Sequence, residues 1–211
     1  MTPTEMRNER LGQKVVENLK RRNFEACYLP SAKDAVGKVM ELIPEGSSVT
    51  WGGSMTIRDI GLTEHLKGGN YHVIDRDTAT TAEEQTACYR QAFSCDYYLS
   101  SVNGMSEDGV LVNIDGNGNR VAAITWGPQR VIFVVGINKI ARDVESALSR
   151  ARSTAAPINT SRFQPNTPCQ KDGICHNCLS TECICNYVHF LRNSHPAKRH
   201  IVIIVGESLG Y

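Results

Sequence analysis

The sequence has no long hydrophobic run. Its longest apolar segments, RVIFVVGI (130–137) and IVIIVG (201–206), have the length of a strand and fall short of the about 18 residues that a membrane-spanning helix needs. The stretch MTPTEMRNERLGQKVVENLKRR is charged and lacks the apolar core of a secretory signal peptide. We therefore expect a cytoplasmic protein without a membrane span.

The sequence also has almost no net charge. Its 23 Lys and Arg residues are balanced by 22 Asp and Glu residues, which leaves a formal charge of +1. A protein without a broad basic surface lacks the attraction for phosphate backbones that nucleic-acid binding requires. Because 41% of the residues are hydrophobic, the chain has enough apolar surface for a globular core.

Helical and strand patterns alternate along most of the chain, which predicts an α/β fold with a mainly parallel sheet flanked by helices. The segment RVIFVVG is apolar throughout, as in a central strand covered on both faces. The segment DGVLVNIDGNGNRVAAIT (108–125) predicts a hairpin because Gly and Asn residues separate two β-rich arms. Apolar residues at helical spacing predict helices at 4–22, 31–42, 81–93 and 140–152.

The composition changes after Ala156. Residues 157–186 are rich in Pro, Asn, Ser, Thr and Cys and show no periodicity, so this part needs its own means of support. We therefore divide the chain into an α/β core (1–156), a Cys-rich metal-binding segment (157–190) and a C-terminal strand that returns to the core (191–211).

Five of the eight cysteines lie in the segment TPCQKDGICHNCLSTECICN. Cys169, Cys175, Cys178 and Cys185 have the spacing C-x5-C-x2-C-x6-C, and Cys183 is a fifth thiol. Four thiolates suit a [4Fe–4S] cluster or, as the alternative, a structural zinc ion. Disulfides and free thiols remain further possibilities, although a reducing cytosol favours metal binding. The other cysteines, Cys27, Cys88 and Cys95, lie among apolar residues and are expected to be buried without a function.

Several polar residues near predicted strand ends are candidates for a substrate site. The loop after the strand SSVTW contains Gly52, Gly53, Ser54 and Thr56, which suits a small anion, although a tight strand-to-helix turn explains it equally well. The turn NIDGNGNR adds Asp115 and Arg120, and an arginine there can bind a carboxylate or phosphate.

Two further candidates carry possible chemistry. Glu107, in SEDGVL, is a candidate nucleophile or general base, and a solvated loop acid is the alternative. Asn138 and Lys139 follow the apolar strand, where Lys139 would meet an anionic substrate or be an ordinary surface lysine.

Taken together, WGGSMTIRDIGL, the block SSVNGMSEDGVLVNIDGNGNRVAAITWGPQRVIFVVGINKI, AAPIN and the cysteine tail resemble the lactate-utilization (LUD) domain family. The resemblance is to its stand-alone form with a cysteine-rich C-terminal tail. It implies a fold related to ribose-5-phosphate isomerase, glucosamine-6-phosphate deaminase and the CoA transferases. It also implies a role in the oxidation of L-lactate to pyruvate alongside iron–sulfur partners.

The resemblance to CoA transferases centres on a Ser-Glu-Asn-Gly loop whose glutamate is the nucleophile. Here the loop is Ser106-Glu107-Asp108-Gly109, and the added aspartate raises the cost of ionising Glu107.

Three functions follow as hypotheses. The first is a redox accessory protein that assists L-lactate oxidation through an Fe–S site. It would bind a small anionic substrate and an iron–sulfur electron-transfer partner, with a homo-oligomer as a candidate state. The second is a CoA-transferase-like or sugar-phosphate isomerase-like enzyme that uses Glu107 and a structural zinc. The third is a non-catalytic subunit or regulator.

Overall fold

The computed structural model describes all of residues 1–211, which form two β-sheets with helices around them. The helices are α1 (Pro3–Arg21), α2 (Ala32–Leu42), α3 (Met55–Asp59), α4 (Leu62–Gly68), α5 (Ala82–Gln91), α6 (Asn119–Thr125), α7 (Val144–Arg150), α8 (Ala156–Thr160) and α9 (Pro168–Asp172). The strands are β1 (Glu25–Leu29), β2 (Ser48–Trp51), β3 (His72–Ile74), β4 (Tyr97–Ser100), β5 (Gly104–Ser106), β6 (Leu111–Asp115), β7 (Arg130–Gly136), β8 (Ile140–Ala141), β9 (Tyr187–Leu191) and β10 (His200–Val205). None of these helices combines the length and apolar composition needed to cross a membrane.

The larger sheet has six strands in the order β1-β10-β7-β4-β2-β3, and every neighbouring pair is parallel. The expected mainly parallel α/β architecture is therefore confirmed. The central strand β10 is buried at every residue, and β7 at every residue after Arg130, because helices cover both faces of the sheet.

Each face of the large sheet carries its own hydrophobic core. On one face, α1 packs Val15, Val16 and Leu19 against β7 and β10. On the other face, α2 contributes Ala35, Val36 and Val39, and α3 and α4 add further apolar residues. These helices alternate buried and exposed positions at helical spacing, which explains why the sequence pattern located α1 and α2.

A smaller sheet of four strands, in the order β8-β5-β6-β9, extends the core. Strand β9 pairs antiparallel with β6 and lies at the end of the Cys-rich segment 157–190, whereas β10 lies between β1 and β7 in the large sheet. Sequence analysis did not predict β9. Its side chains Tyr187, Val188 and Phe190 are exposed, so no alternation of buried and exposed residues reveals it.

The expected hairpin at 108–125 is wrong. Only its first arm is a strand, β6, and the second arm is the helix α6. The Asp115 carboxylate explains the difference, because it accepts hydrogen bonds from the backbone N–H groups of Asn117, Gly118 and Val121. Together with the left-handed backbone of Gly118 (φ +80°), this turns the chain into a helix where the residue preferences indicate a strand.

The helix expected at 140–152 begins later and continues further. Residues 140–141 form β8, and α7 starts at Val144, capped by Asp143, whose side chain accepts from the Ser146 amide at 2.8 Å. A π-helical turn, Ala151–Ala155, joins α7 to α8, so the helical path extends to Thr160. Part of the segment expected to lack regular structure is therefore helical.

Candidate functional site

A cavity of about 310 Å³ opens at the carboxyl ends of the parallel strands. Loops that follow β2, β4 and β7 meet there with the β6–α6 turn, an arrangement typical of ligand sites in open α/β sheets. We call it the anion cavity. Six of the residues expected from the sequence line it, namely Gly53, Ser54, Thr56, Asp115, Arg120 and Lys139. Gly52, Glu107 and Asn138 do not.

Lys139 is the buried lysine of this cavity, with only 2% of its surface exposed. Its Nζ donates to Thr56 Oγ1 at 2.9 Å and to Ser101 Oγ at 3.1 Å. Burial, and then the positive charges of Arg150 and Arg120, lower the pKa of Lys139 to about 7. The amine therefore exchanges its proton near neutral pH.

Arg120 is held in place by the protein itself. Its Nη1 donates to Asn113 Oδ1 at 2.8 Å, and its Nη2 donates to Asn103 Oδ1 at 3.1 Å and to the Ile114 carbonyl at 2.6 Å. Its side chain lies over Gly52, where an added Cβ would approach Arg120 Cδ to 2.9 Å. Arg120 thus supplies positive charge to the cavity, while its terminal nitrogens are bonded to protein acceptors.

Arg76 is a cavity residue that sequence analysis missed. It follows β3 by two residues, and its Nη1 donates to the Tyr89 hydroxyl at 3.3 Å. Its Nε is buried and lies 3.8 Å from Asp77 Oδ1, whereas its Nη2 lies over Gly53 and makes no hydrogen bond within the protein. Arg76 is therefore better placed than Arg120 to donate to a bound anion. Its position after a parallel strand was the available signal.

Three residues that the sequence placed in the site make contacts that hold local segments of the backbone. Ser54 Oγ accepts from the Ile57 amide at 3.4 Å and so caps α3. Asn138 holds the C-terminal segment, because its Oδ1 accepts from the Leu209 amide at 3.1 Å and its Nδ2 donates to the Gly210 carbonyl at 3.3 Å. Asp115 holds the β6–α6 turn and lies 3.6 Å from Arg120 Nε.

The structure corrects the expected place of Glu107. Its backbone amide donates to the Ala141 carbonyl at 2.8 Å, and its carbonyl accepts from Asn18 Nδ2 at 2.9 Å. These bonds fix it beside α1, outside the anion cavity. Its neighbour Asp108 pairs with Arg22 and Ser106, which lower the pKa of the Asp108 carboxyl. The Ser-Glu-Asp-Gly loop therefore faces another part of the protein.

The lining of the anion cavity carries more positive than negative charge. Three arginines, Arg76, Arg120 and Arg162, line it together with the amine of Lys139, against the single acidic side chain of Asp115. Charge of one sign within a cleft attracts ligands of the opposite sign. The cavity is therefore suited to a small anion.

A second cavity, of about 50 Å³, is lined by all five cysteines of the tail, Cys169, Cys175, Cys178, Cys183 and Cys185. We call it the thiol cavity. A single water needs about 10–15 Å³ by the same kind of measure, so the space exceeds that of one small ion. Burial, and then the neighbouring thiols Cys183, Cys175 and Cys169, raise the pKa of Cys185 to about 12.

The thiol cavity has the soft donors that iron–sulfur clusters and zinc prefer. In the structure, no three His, Cys, Asp or Glu side chains lie close enough together to hold a metal ion. Metal sites with cysteine ligands commonly complete their geometry only on binding. Because all five thiols face one space, their donor chemistry fits a metal centre, and their placement does not distinguish Cys183 from Cys185 as the fourth ligand.

The two cavities share a wall. Ile184 lines both of them, and adjacent residues of α8, Asn159 and Thr160, face the anion cavity and the thiol cavity respectively. The Ile184 backbone packs against Gly116 in the β6–α6 turn, where an added Cβ would lie 3.4 Å from Ile184 Cα. A ligand in one cavity is thus separated from the other by about one side chain.

Several solved structures resemble this chain over all or part of its length. A DUF162 family protein from Deinococcus radiodurans matches with a TM-score of 0.56 and 11% identity over 94% of this chain and 97% of that one. This likeness shows the fold alone. Partial matches are ribose 5 phosphate isomerase A from Neisseria gonorrhoeae (TM-score 0.35, 16% identity, 54% of each chain) and eIF2B delta from Chaetomium thermophilum (0.34, 14%, 68% of this chain and 57% of that one). No curated protein matches this sequence.

The model of the LUD domain matches residues 12–205, nearly the whole chain. The chain therefore belongs to the LUD domain family, as the sequence motifs indicated. The family takes its name from lactate utilization, and membership indicates a function related to it.

Proposed function

We propose that this protein is a redox accessory protein that binds a small 2-hydroxy acid such as L-lactate and assists its oxidation to the 2-oxo acid through an iron–sulfur site. The observation that carries the proposal is the wall that the anion cavity and the thiol cavity share at Ile184. It supports the proposal because it sets a cavity lined by arginines beside a cavity lined by five cysteines.

The substrate side rests on the cationic residues. The Arg76 Nη2 over Gly53 makes no hydrogen bond within the protein and can donate to a carboxylate, and Arg120 adds a fixed positive charge. Lys139, whose pKa is about 7, is suited to accept the hydroxyl proton of a 2-hydroxy acid. Oxidation of such an acid releases two electrons and two protons, and an iron–sulfur electron-transfer protein is the proposed electron acceptor.

The metal side rests on the thiols. Cys169, Cys175, Cys178 and Cys185 would hold a [4Fe–4S] cluster, with Cys183 as the alternative to Cys185. When bound, such a cluster transfers electrons one at a time, at a potential that its surroundings tune. The hydroxyls of Thr160 and Thr167 lie 3.8 Å and 3.5 Å from the Cys169 sulfur, where they can hydrogen-bond to a thiolate.

The decisive experiment is a metal count. The protein is purified without oxygen, and iron, acid-labile sulfide and zinc are measured per chain for wild type, Cys175→Ser and Cys88→Ser. Cys88 is the matched control, because it is a half-buried cysteine on α5, outside the thiol cavity. We expect about four irons with matching sulfide in wild type and Cys88→Ser, lost in Cys175→Ser. One zinc without iron would overturn the redox proposal and leave a structural metal site.

A second experiment tests the substrate side. Binding of L-lactate is measured by calorimetry for wild type, Arg76→Gln and Arg90→Gln. Arg90, exposed on α5 outside the cavity, is the control. Loss of a charged hydrogen bond costs about 1.5–3 kcal/mol, so we expect affinity to fall at least about tenfold in Arg76→Gln only. Binding without any lactate-dependent electron transfer to an iron–sulfur acceptor would favour a regulatory subunit instead.

The transferase-like alternative loses its main support, because Glu107 lies outside the anion cavity. Asp115, the acidic residue of the lining, does not replace Glu107, because both of its carboxylate oxygens accept hydrogen bonds from backbone N–H groups of the β6–α6 turn.

A further inference from the structure

The hydrogen-bond partners of Lys139 are unusual for a buried lysine, because both of them are uncharged. Its partners are two hydroxyls, Thr56 Oγ1 and Ser101 Oγ, and no carboxylate lies within salt-bridge distance of its Nζ. A buried lysine is normally paired with an acid, because burying an unpaired charge is costly. The surroundings of Lys139 therefore favour a neutral amine.

In their hydrogen bonds with Lys139, both hydroxyls act as acceptors, because each donates its own proton to a carbonyl. The Ser101 hydroxyl donates its own proton to the Val134 carbonyl at 2.6 Å, and the Thr56 hydroxyl donates to the Leu209 carbonyl at 3.4 Å. A neutral amine has two N–H donors and one lone pair. With both N–H groups bonded to these oxygens, the lone pair has no protein donor and remains free for a ligand in the cavity.

The neighbouring charged residues also favour the neutral form of the Lys139 amine. Arg150 and Arg120 both oppose protonation of Lys139, and Asp59 favours it more weakly. Arg150 is itself fixed, because its Nε donates to the Asn138 carbonyl at 2.9 Å. A desolvated lysine beside other cations is the environment in which enzymes use lysine as a nucleophile toward carbonyl groups.

We propose that Lys139 forms a Schiff base with the carbonyl carbon of a 2-oxo acid bound in the anion cavity. The neutral Nζ attacks that carbon, a C–N bond forms, and the carbonyl oxygen takes up a proton to give a carbinolamine. Loss of water, which carries the oxygen and the second amine proton, leaves the C=N bond. Amine and ketone thus become imine and water, and no oxidant or reductant is needed.

Arg76 gives the substrate class. A carboxylate adjacent to the carbonyl would accept from Arg76 Nη2, which no protein acceptor engages, so a 2-oxo acid meets both a cation for its carboxylate and an amine for its carbonyl. This assignment rests on the proposed function, because the 2-oxo acid is the product of the oxidation proposed above. It adds a covalent adduct that the oxidation does not require.

The test is reductive trapping. Full-length protein, prepared without oxygen, is incubated with pyruvate and cyanoborohydride near neutral pH, digested, and analysed by mass spectrometry for reduced pyruvyl-lysine. Wild type is compared with Lys139→Arg, which keeps a long basic side chain but has no amine nucleophile, with Arg76→Gln, and with Lys33→Met at an exposed control position. Acetone, a ketone without a carboxylate, replaces pyruvate in a parallel reaction. Circular dichroism checks that each variant is folded.

We expect labelling of Lys139 at least about tenfold above any exposed lysine, abolished in Lys139→Arg, reduced about tenfold in Arg76→Gln and weak with acetone. Equal labelling of Lys139 and exposed lysines would overturn the proposal. Calorimetry run alongside separates the two proposals. Pyruvate that binds without labelling Lys139 overturns the Schiff base and leaves the anion cavity intact, whereas absence of binding removes both.

Discussion

The guanidinium of Arg76 occupies the space that a side chain on Gly53 would fill. A Cβ atom added to Gly53 would lie 2.5 Å from Arg76 Nη2, closer than any real contact allows. The β2–α3 loop and Arg76, two residues after β3, are thus fitted to each other in the lining of the anion cavity, and glycine at position 53 leaves room for the arginine.

Substitution Gly53→Ala tests this relationship. Because the atom in the way is the end of a flexible side chain, we expect Arg76 to move and the fold to survive, while lactate affinity falls about tenfold. The matched control is Gly37→Ala in α2, where an added Cβ meets nothing within 4 Å. That change should stabilise the protein by about 0.5–1 kcal/mol without altering binding. Equal affinities in both variants would contradict the role of Arg76.

Lys139 makes stability depend on pH above neutrality. Its folded pKa is about 7, below the ordinary value of 10.5, so the unfolded chain binds more protons between these two values. Stability of the wild type should therefore rise with pH across this window, by at most about 5 kcal/mol. Lys139→Met should lack this rise, as urea denaturation at pH 7 and pH 10 would show. A parallel pH dependence in both proteins would mean that Lys139 is charged when folded.

His200 should make the protein sensitive to acid. It is buried, its Nδ1 lies 2.9 Å from Ser194 Oγ, and burial, opposed by its bond to the Ile124 carbonyl and reinforced by the charge of Arg199, lowers its pKa to about 4. The unfolded imidazole titrates near 6.5, so stability is lost as pH falls from about 6.5 to 4, by roughly 3 kcal/mol.

Urea denaturation at pH 7 and pH 4.5 measures this loss. His200→Gln should show a smaller difference between the two pH values than wild type, whereas His72→Gln, at an exposed position, should retain it. If the His200 variant loses as much stability in acid as wild type, other groups are responsible.

We expect substitution of Asp115 to lower the stability of the protein more clearly than it lowers ligand binding. In Asp115→Asn an amide nitrogen would face the Val121 N–H or the N–H groups of Asn117 and Gly118, so at least one backbone donor loses its acceptor. We expect a loss of about 1–2 kcal/mol in the free energy of unfolding. Glu83→Gln, which removes an exposed charge on α5, is the control and should change stability little. An unaffected melting temperature in Asp115→Asn would show that the turn forms without it.

The elements that could be predicted from the sequence are those in which burial leaves a regular pattern of apolar residues. Uniformly apolar β7 and the amphipathic α1 were predictable, because burial on both faces or on one face leaves a pattern. The helix α6 was missed because its start depends on a side-chain contact from Asp115 that competes with strand propensity. The edge strand β9 was missed because its order comes from pairing with β6, far away in the sequence.

The candidate site was predictable to a similar degree. Glycines and charged residues after parallel strands indicated where Gly53, Thr56 and Lys139 would meet. Arg76 was missed because a single arginine after a short strand has no motif around it. Glu107 was misplaced because the loop that resembles a nucleophile loop turns toward α1, and this direction is set by contacts with Asn18 and Arg22.

The wall that Ile184 provides between the two cavities has a thermodynamic consequence. If an anion on one side shifts this residue and thereby changes the affinity of the thiols for their metal, the metal must change the affinity for the anion by the same factor. The two sites then form one reciprocal system, in which substrate supply and metal occupancy report on each other. Ile184 and the adjacent α8 residues Asn159 and Thr160 are the residues through which such a coupling would pass.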